Sequence, residues 1–376
     1  MASRGIGLYI HVPYCLKKCD YCAFASVRKP GDISGMCTAI RAEFLTRTRD
    51  RNLSFSTFYA GGGTPTLLPS EFWSSLVSKA CSPALEEITI ETNPAVLDAS
   101  GYSALLLAGF NRLSIGVQSF TDSQLAKLGR VHDSQQAMEA LELARKTGFK
   151  NISADLIYGI SGQTLKDQMH DLEKLVSFLP EHISVYELTL EDGTPMGRVG
   201  LKAPESLCVE MYHLAHEFLT SAGYDHYEVS SYSLGEKYRS KHNLSYWNRT
   251  PYMGIGPSAH SFDGRKRFWN ISDEIRYESS VIREMSAKES EEDLTPENHA
   301  HEILALGFRY SGGVSLDDLK QTGYTLNTHE LNHEGMFTIK NNVLVPDHTG
   351  MLFADSIALR AAELLEPVQG FDEQPV

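Results

Sequence analysis

The chain has 376 residues, of which 42% are hydrophobic and 22% charged, and its formal net charge is −14. This composition is typical of a soluble globular protein that can form one large core and a smaller appended domain. An acidic chain lacks the basic surface that binds nucleic acid or anionic membranes, so both classes of partner are excluded. Because no transmembrane segment and no secretory signal are recognisable, we expect a cytoplasmic, reduced protein.

Strand-like and helix-like segments alternate over the first part of the chain. The predicted strands are Gly7–Val12, Thr57–Ala60, Glu87–Glu91, Arg112–Val117, Asn151–Ile157 and His182–Leu188. The predicted helices are Ser34–Arg49, Ser70–Lys79, Asp98–Ala108, Ser134–Thr147 and Thr164–Phe178. Alternation of this kind predicts βαβ units around a parallel sheet. Six such units are too few for a closed eight-stranded barrel, so the expected fold is α/β, an open partial (β/α)6 barrel of the TIM type.

The pattern changes after about residue 200. The later segments are a predicted amphipathic helix over Glu205–Ala222, an aromatic and glycine-rich stretch over Tyr224–Phe262, and a solvated acidic linker over Lys288–Asp293. Helices and a hairpin over Phe337–Val345, with its turn at Asn341-Asn342, then predict a small α+β winged-helix-like module. We therefore expect a barrel core over 1–200, an extension over 201–290 and a C-terminal domain over 291–376.

Three cysteines follow the first predicted strand in the spacing Cys15-x3-Cys19-x2-Cys22. Four thiolates complete a tetrahedral zinc site or a closed iron–sulfur cluster. Three thiolates on one loop can hold a 4Fe–4S cluster and leave its fourth iron open to a small molecule. Zinc would need a further ligand such as His11, and a disulfide is unfavourable in a reducing compartment. The remaining cysteines are predicted to be small buried hydrophobic residues: Cys37, Cys81 and Cys208.

Polar residues follow the later strands one by one. The glycine run Gly61-Gly62-Gly63-Thr64 is expected to expose backbone N–H groups to an anion, although a simple tight turn is the alternative. Glu91, Gln118 and Asp155 offer acceptors or donors, and Arg130 could grip a carboxylate. Each signal is weak by itself. Taken together, they predict a polar ring at one mouth of the barrel.

A separate aromatic element spans Lys241–Trp247 and contains His242. An imidazole beside tyrosine and tryptophan could offer an axial nitrogen and flat faces to a macrocycle. The residues alone favour the alternative, a core histidine with satisfied hydrogen bonds. His260 is a second, weaker candidate.

The cysteine spacing, with Tyr21 before the third cysteine and Gly61-Gly62-Gly63-Thr64-Pro65 downstream, resembles the radical S-adenosylmethionine (SAM) superfamily. The similarity narrows to the branch shared by oxygen-independent coproporphyrinogen III oxidases and the haem chaperone family HemW. It implies a partial (β/α)6 barrel whose 4Fe–4S cluster is held by Cys15, Cys19 and Cys22. It implies SAM binding through Tyr9, Gly62, Glu91, Gln118, Arg130 and Asp155. Positions that contact a second SAM in the oxidase are matched by Tyr21, Gly63 and Thr64.

Three features distinguish the two branches. The oxidase carries a further cysteine where this chain has Phe24, and it has a long N-terminal extension that we do not find before the first strand. His242-Asn243-Leu244-Ser245-Tyr246-Trp247 matches the HNxxYW element of the HemW family. The resemblance therefore implies a chaperone that binds the cluster, SAM and haem, the latter through His242, and delivers haem to acceptor proteins. The alternative is an oxidase that converts coproporphyrinogen III to protoporphyrinogen IX. The sequence does not identify the haem acceptor or the electron donor. It also does not decide whether the protein is an enzyme or forms a homodimer.

Overall fold

A single open sheet organises most of the computed structural model, which describes residues 5–28, 31–49, 53–331 and 336–368. The first part contains β1 (Ile6–Val12), β2 (Tyr14–Cys15), β3 (Val27–Arg28), α1 (Ile33–Thr48), β4 (Phe55–Gly62), α2 (Ser70–Ala80), β5 (Glu87–Thr92), α3 (Ala99–Leu107), β6 (Arg112–Gln118), α4 (Asp122–Lys127), α5 (Ser134–Thr147), β7 (Ile152–Tyr158), α6 (Leu165–Ser177) and β8 (His182–Glu187). Each strand and helix predicted for this part is present to within a few residues, whereas β2, β3 and α4 were not predicted. The predicted α/β fold with a parallel core is confirmed.

The following part of the chain widens this sheet. It contains α7 (Pro195–Val199), α8 (Glu205–Ser221), β9 (Asp225–Glu228), β10 (Ser231–Ser233), α9 (Lys241–Trp247), β11 (Tyr252–Ile255), β12 (His260–Phe262), β13 (Lys266–Asn270), α10 (Glu274–Glu284) and β14 (Lys288–Asp293). The sheet has twelve strands in the order β14-β13-β12-β11-β1-β4-β5-β6-β7-β8-β10-β9. Strands β11, β1 and β4 to β8 are parallel, and antiparallel strands flank them on both sides.

Two expectations from the sequence were wrong here. The acidic segment Lys288–Asp293 is not a linker but strand β14, which pairs with β13 at one edge of the sheet with every residue exposed. Its charges misled the prediction because an edge strand can be fully solvated and still donate its backbone to a neighbour. Among the isolated cysteines only Cys208 is buried, whereas Cys37 is partly exposed and Cys81 is exposed.

The last part of the described chain forms its own core. It contains α11 (Pro296–Gly307), β15 (Val314–Ser315), α12 (Leu316–Gln321), β16 (Tyr324–Leu326), β17 (Phe337–Lys340), β18 (Val343–Pro346), α13 (His348–Leu352), α14 (Ala354–Glu363) and β19 (Leu365–Pro367). The predicted hairpin is present as β17 and β18, and its turn residues Asn341 and Asn342 both adopt positive φ. A separate buried cluster that includes Leu304, Phe308 and Ile357 holds these elements together.

This C-terminal unit joins the main sheet at strand β9. The backbone N–H of Val229 donates to the Arg309 carbonyl (2.8 Å), and that of Ser311 donates to the Tyr227 carbonyl (2.9 Å). Glu228 and Tyr310 form an antiparallel bridge between these two bonds. The segment after α11 therefore lies along the β9 edge and is joined to it by an isolated antiparallel bridge.

Candidate cofactor site

A cavity of about 380 Å³ opens at the carboxyl ends of the parallel strands and reaches down between them. This is the end at which α/β barrels bind their ligands. Most of the predicted site residues line it, namely Cys15, Cys19, Tyr21, Cys22, Gly62, Gly63, Thr64, Glu91, Gln118, Arg130 and Asp155. Two predicted residues, Tyr9 and His242, do not belong to its lining.

The three cysteines lie on the loop between β2 and β3, which pair with each other at the loop's base. The N–H of Cys22 donates to the Cys19 carbonyl (3.1 Å), a turn that keeps these two residues on one wall. All three thiols are free and partly exposed, and burial raises the pKa of Cys15 and Cys22. Within the described ranges, no three His, Cys, Asp or Glu side chains are grouped closely enough to hold a single metal ion.

Arg130 connects the cysteine loop to the strand ends. Its Nη1 lies 3.4 Å from the Cys19 sulfur, and its Nη2 donates to the Gly116 carbonyl (2.8 Å) and to Asn93. The buried Nε of Arg130 has no hydrogen-bond partner among the described residues. A guanidinium that is fixed on two sides and still has one donor free is well placed to meet a carboxylate.

Glu91 is held at the end of β5 by two donors from β4. The Tyr59 hydroxyl donates to Oε1 (2.7 Å), and the Gly62 N–H donates to Oε2 (3.2 Å). Burial nevertheless raises the pKa of Glu91 to about 7, since a carboxylate in low-dielectric surroundings is costly to ionise. Glu91 therefore changes its charge state near neutral pH.

In the structure, the N–H groups of Gly62, Gly63 and Thr64 are bonded within the chain, and the one from Gly62 goes to a carboxylate. Gly62 donates to Glu91, the N–H of Gly63 to the Val12 carbonyl (2.7 Å) and that of Thr64 to the Tyr14 carbonyl (2.8 Å). Glycine is needed instead for close packing. A Cβ on Gly63 would approach the Tyr14 carbonyl oxygen to 2.5 Å. The run fastens the cysteine loop to β4.

Gln118 and Asp155 lie on β6 and β7, the two strands that follow β5 in the sheet. Burial raises the pKa of Asp155 to about 6, and the Ser114 hydroxyl contacts its Oδ2 at 3.5 Å. Gln118 has a positive φ of 69°, and its buried Oε1 has no hydrogen-bond partner in the described part of the chain. A buried acceptor without a partner costs free energy unless a ligand satisfies it. This arrangement suits a ligand that carries hydroxyl groups.

Arg112 at the start of β6 is a site residue that the sequence analysis missed. Its side chain lines the cavity floor while the residue is only 2% exposed. No hydrogen bond or ion pair within the described residues involves its guanidinium, and its buried Nε has no partner. Its positive charge lowers the pKa of Glu91 and of Asp155, against the larger opposing effect of burial. The available signal was a cation at the first position of a predicted, largely apolar strand.

His242 and Tyr9 lie below the cavity rather than in its wall. His242 is 1% exposed, and both ring nitrogens are hydrogen bonded: Nδ1 with the Thr57 hydroxyl (2.8 Å) and Nε2 with the Tyr246 hydroxyl (2.9 Å). Tyr9 is paired with the Nδ1 of His11 at 3.0 Å. Of the HNxxYW element, the neighbouring Asn243 faces the cavity. The haem-ligand role of His242 stays a prediction.

The fold and the site define a radical SAM protein, and the radical SAM superfamily model matches residues 9–175. The chain is 34% identical over 320 residues to "Heme chaperone HemW" of Bacillus subtilis, covering 82% of this chain and 84% of that protein. It is 30% identical over 394 residues to the bovine "Radical S-adenosyl methionine domain-containing protein 1, mitochondrial", covering 97% and 89%. The chain belongs to the HemW family.

A solved structure shows the same fold. The coproporphyrinogen III oxidase HemN from Escherichia coli superimposes with a TM-score of 0.77 at 20% identity, over 95% of this chain and 89% of that one. At this identity the likeness concerns the fold alone. Among the residues that the structure describes, no helix is long and apolar enough to cross a membrane.

Membership of the radical SAM superfamily implies a 4Fe–4S cluster and SAM, and the residues present fit both. Three free thiols share one cavity wall, which suits a cluster with one open iron. Beside them, the unpartnered Gln118 Oε1 and Arg130 Nε and the carboxyl of Glu91 offer an acceptor, a donor and a negative charge. SAM carries hydroxyl, carboxylate and amino groups that match these.

Proposed function

We propose that this protein is a haem chaperone that binds a 4Fe–4S cluster, SAM and haem and delivers haem to an acceptor protein. The observation that carries the proposal is the family membership, which extends over 84% of the Bacillus subtilis HemW and so covers more than the SAM-binding part. The chemistry that a cluster and SAM supply when bound is one-electron cleavage of a sulfonium carbon–sulfur bond. The residues of this chain bind, orient and shield that pair.

Within this proposal, each side chain of the cavity has a role that its surroundings support. Cys15, Cys19 and Cys22 hold the cluster, and Arg130 binds the SAM carboxylate. Glu91, when ionised, accepts from the SAM amino group. The ribose hydroxyls are assigned to Gln118 and Asp155, with Gly62 and Tyr9 as the remaining predicted SAM positions. Tyr21, Gly63 and Thr64 are the candidates for a second SAM.

The haem site is the least constrained part of the proposal. His242 is the predicted ligand of the haem iron, but its Nε2 would first have to leave the Tyr246 hydroxyl. At the cavity mouth, Phe24 is 65% exposed at the position where the oxidase branch has a cysteine. A phenyl ring has no ligating atom, so this position cannot supply the thiol that the oxidase branch carries there.

The deciding experiment compares the two functions on one preparation. The protein is reconstituted anaerobically with iron and sulfide, titrated with haem, and assayed for haem transfer to an apo-haem protein. The same sample is incubated with coproporphyrinogen III, SAM and a reductant, and protoporphyrinogen IX is measured. We expect stoichiometric haem binding and transfer without decarboxylation. Efficient decarboxylation by the purified protein would establish the oxidase alternative instead.

A further inference from the structure

The helix that carries the HNxxYW element is fastened to the amino ends of the sheet strands. The backbone N–H groups of Lys241 and His242 donate to Glu87 of β5, at 2.9 Å to Oε2 and 3.1 Å to Oε1. A carboxylate that accepts from the first N–H groups of a helix fixes its start and suits its dipole. Helix α9 therefore closes the floor of the parallel strands, opposite the cysteine loop.

The His242 ring is held in one orientation from its edges and its face. Thr57 and Tyr246 occupy its two nitrogens, and one face stacks on the ring of Tyr59, with centroids 4.9 Å apart and planes at 23°. Stacked aromatic rings at this separation attract each other beyond the area that they bury. His242 thus supports Tyr59 from below.

Tyr59 connects His242 to the cavity. Its ring lies on His242, while its hydroxyl lines the cavity side and donates to Glu91 Oε1 at 2.7 Å. A tilt of the Tyr59 ring would lengthen this bond, because the hydroxyl lies at the far end of a rigid ring. The orientation and charge of Glu91 thereby depend on a histidine that does not line the cavity.

We infer that His242 is a positioning residue of the SAM site, which holds Tyr59 so that its hydroxyl orients Glu91 and favours its ionised form. The inference rests on the proposed function, in which Glu91 binds the SAM amino group. It gives the HNxxYW element a role in cofactor binding that is separate from ligation of haem iron. The charged and titratable groups that face Glu91 are Tyr9, Tyr59, Arg112, Asp155 and Tyr246.

Three variants separate support by the ring from ligation by its nitrogens. His242→Ala removes both, His242→Phe keeps a flat ring beneath Tyr59 without a nitrogen, and Tyr59→Phe removes only the hydroxyl. SAM affinity is measured by anaerobic equilibrium dialysis on reconstituted, haem-free protein between pH 6 and 9. Cluster content and thermal unfolding are checked for each variant.

We expect His242→Ala and Tyr59→Phe to weaken SAM binding by about tenfold, the effect of losing one hydrogen bond to a charged group. Both should move the rise of affinity with pH to higher pH, because Glu91 then ionises less readily. His242→Phe should stay within about threefold of the wild type, since the stacked ring remains. The double variant His242→Ala/Tyr59→Phe should bind no more weakly than Tyr59→Phe, as expected for coupled residues.

Unchanged SAM affinity in His242→Ala, or equal losses in His242→Phe and His242→Ala, would overturn the inference. If the alanine variant does not fold, the SAM affinities of Tyr59→Phe and His242→Phe still test the inference, because only Tyr59→Phe should lose affinity. A haem titration of the same proteins keeps the two questions apart. A wild type without haem binding contradicts the proposed function, whereas loss of haem binding in His242→Phe with SAM binding intact assigns His242 both roles.

Discussion

The two ends of the parallel strands are built differently. At the carboxyl ends, the cysteine loop is partly exposed, its thiols are free, and Phe24 projects into solvent. At the amino ends, α9 places the buried His242 beneath the cavity with both ring nitrogens hydrogen bonded, and Glu87 holds the start of the helix. In the proposed function, cofactors would enter through the open end, and the closed end would fix the side chains beneath them. Substitutions at the two ends should therefore fail in different ways.

The largest effect is expected at the open end, from Cys19→Ser. A serine cannot replace the thiolate, so a cluster with only two protein ligands should not assemble. We expect iron and sulfide content after anaerobic reconstitution to fall to background. Cys81→Ser is the matched control, since Cys81 is exposed and outside the cavity lining. Normal iron content in Cys19→Ser would remove that residue from the ligand set.

Glu91→Gln tests the carboxyl end of β5, where Tyr59 and Gly62 hold the carboxylate. Because burial raises the pKa of Glu91 to about 7, SAM affinity of the wild type should increase as the pH rises through 7. Glutamine keeps the shape but not the charge, so affinity should fall about tenfold at pH 8 and lose this pH dependence. Equilibrium dialysis at several pH values measures both effects. A persistent step at pH 7 in the variant would assign the titration to another group.

The titration of Glu91 also affects stability, in the opposite direction: SAM affinity should rise with pH, whereas the free energy of unfolding should fall. The folded pKa of Glu91 lies above its ordinary value of 4.5, so the folded protein binds more protons than the unfolded chain between about pH 4.5 and 7. The contribution of Glu91 to the free energy of unfolding should therefore decline as the pH rises through this window. Urea unfolding of the cofactor-free protein measures this effect. The free energy of unfolding should differ less between pH 5 and pH 8 for Glu91→Gln than for the wild type.

Arg112→Gln should have a moderate effect from the closed end. Removing the guanidinium removes the attraction that lowers the pKa of both Glu91 and Asp155, so both carboxyls should ionise at higher pH. We expect the rise in SAM affinity to move upward by about 0.5 to 1 pH unit. Arg112→Lys keeps the positive charge, so its pH profile should stay close to that of the wild type. An identical profile for Arg112→Gln would show that the charge of Arg112 does not act on the site.

The smallest effect is expected at the cavity mouth, from Phe24→Ala. The ring is 65% exposed, so its loss should change the free energy of unfolding by less than about 0.5 kcal/mol. Trp73→Ala is the contrasting variant, because Trp73 is fully buried and should cost about 3 to 5 kcal/mol. Urea unfolding of both variants measures the difference. A cost above 1 kcal/mol for Phe24→Ala would mean that the mouth is packed against another part of the chain.

The sequence was a good guide to the open end and a poor one to the closed end. Alternating strands and helices predicted the parallel core, and the strand ends predicted Glu91, Gln118 and Asp155, because parallel strands bring their carboxyl ends to one edge. The cysteine motif could also be recognised, because its three residues lie close together in the sequence. The position of His242 depends on Thr57, which lies 185 residues away along the chain. No periodicity or spacing encodes a contact of that kind.

Strand β11 illustrates the same difficulty at the level of the fold. It pairs with β1 in parallel although some 240 residues separate their partners, such as Leu8 and Met253. The glycine-rich sequence around it is typical of loops. Its pairing with β1 in the folded protein makes it a further parallel strand. The precise division of the chain into three regions likewise stays a prediction.

Because the sheet is open, its two outer strands could recruit strands from other molecules. Strand β14 is protected by charge, since Glu289, Glu291, Glu292 and Asp293 line it in solvent. Strand β9 is partly covered, because the Ser311 N–H donates to the Tyr227 carbonyl and the N–H of the adjacent Val229 donates to the Arg309 carbonyl. We therefore expect the C-terminal unit to shield part of this edge from other molecules. A chain shortened before Pro296 should aggregate even where its cofactor cavity is intact.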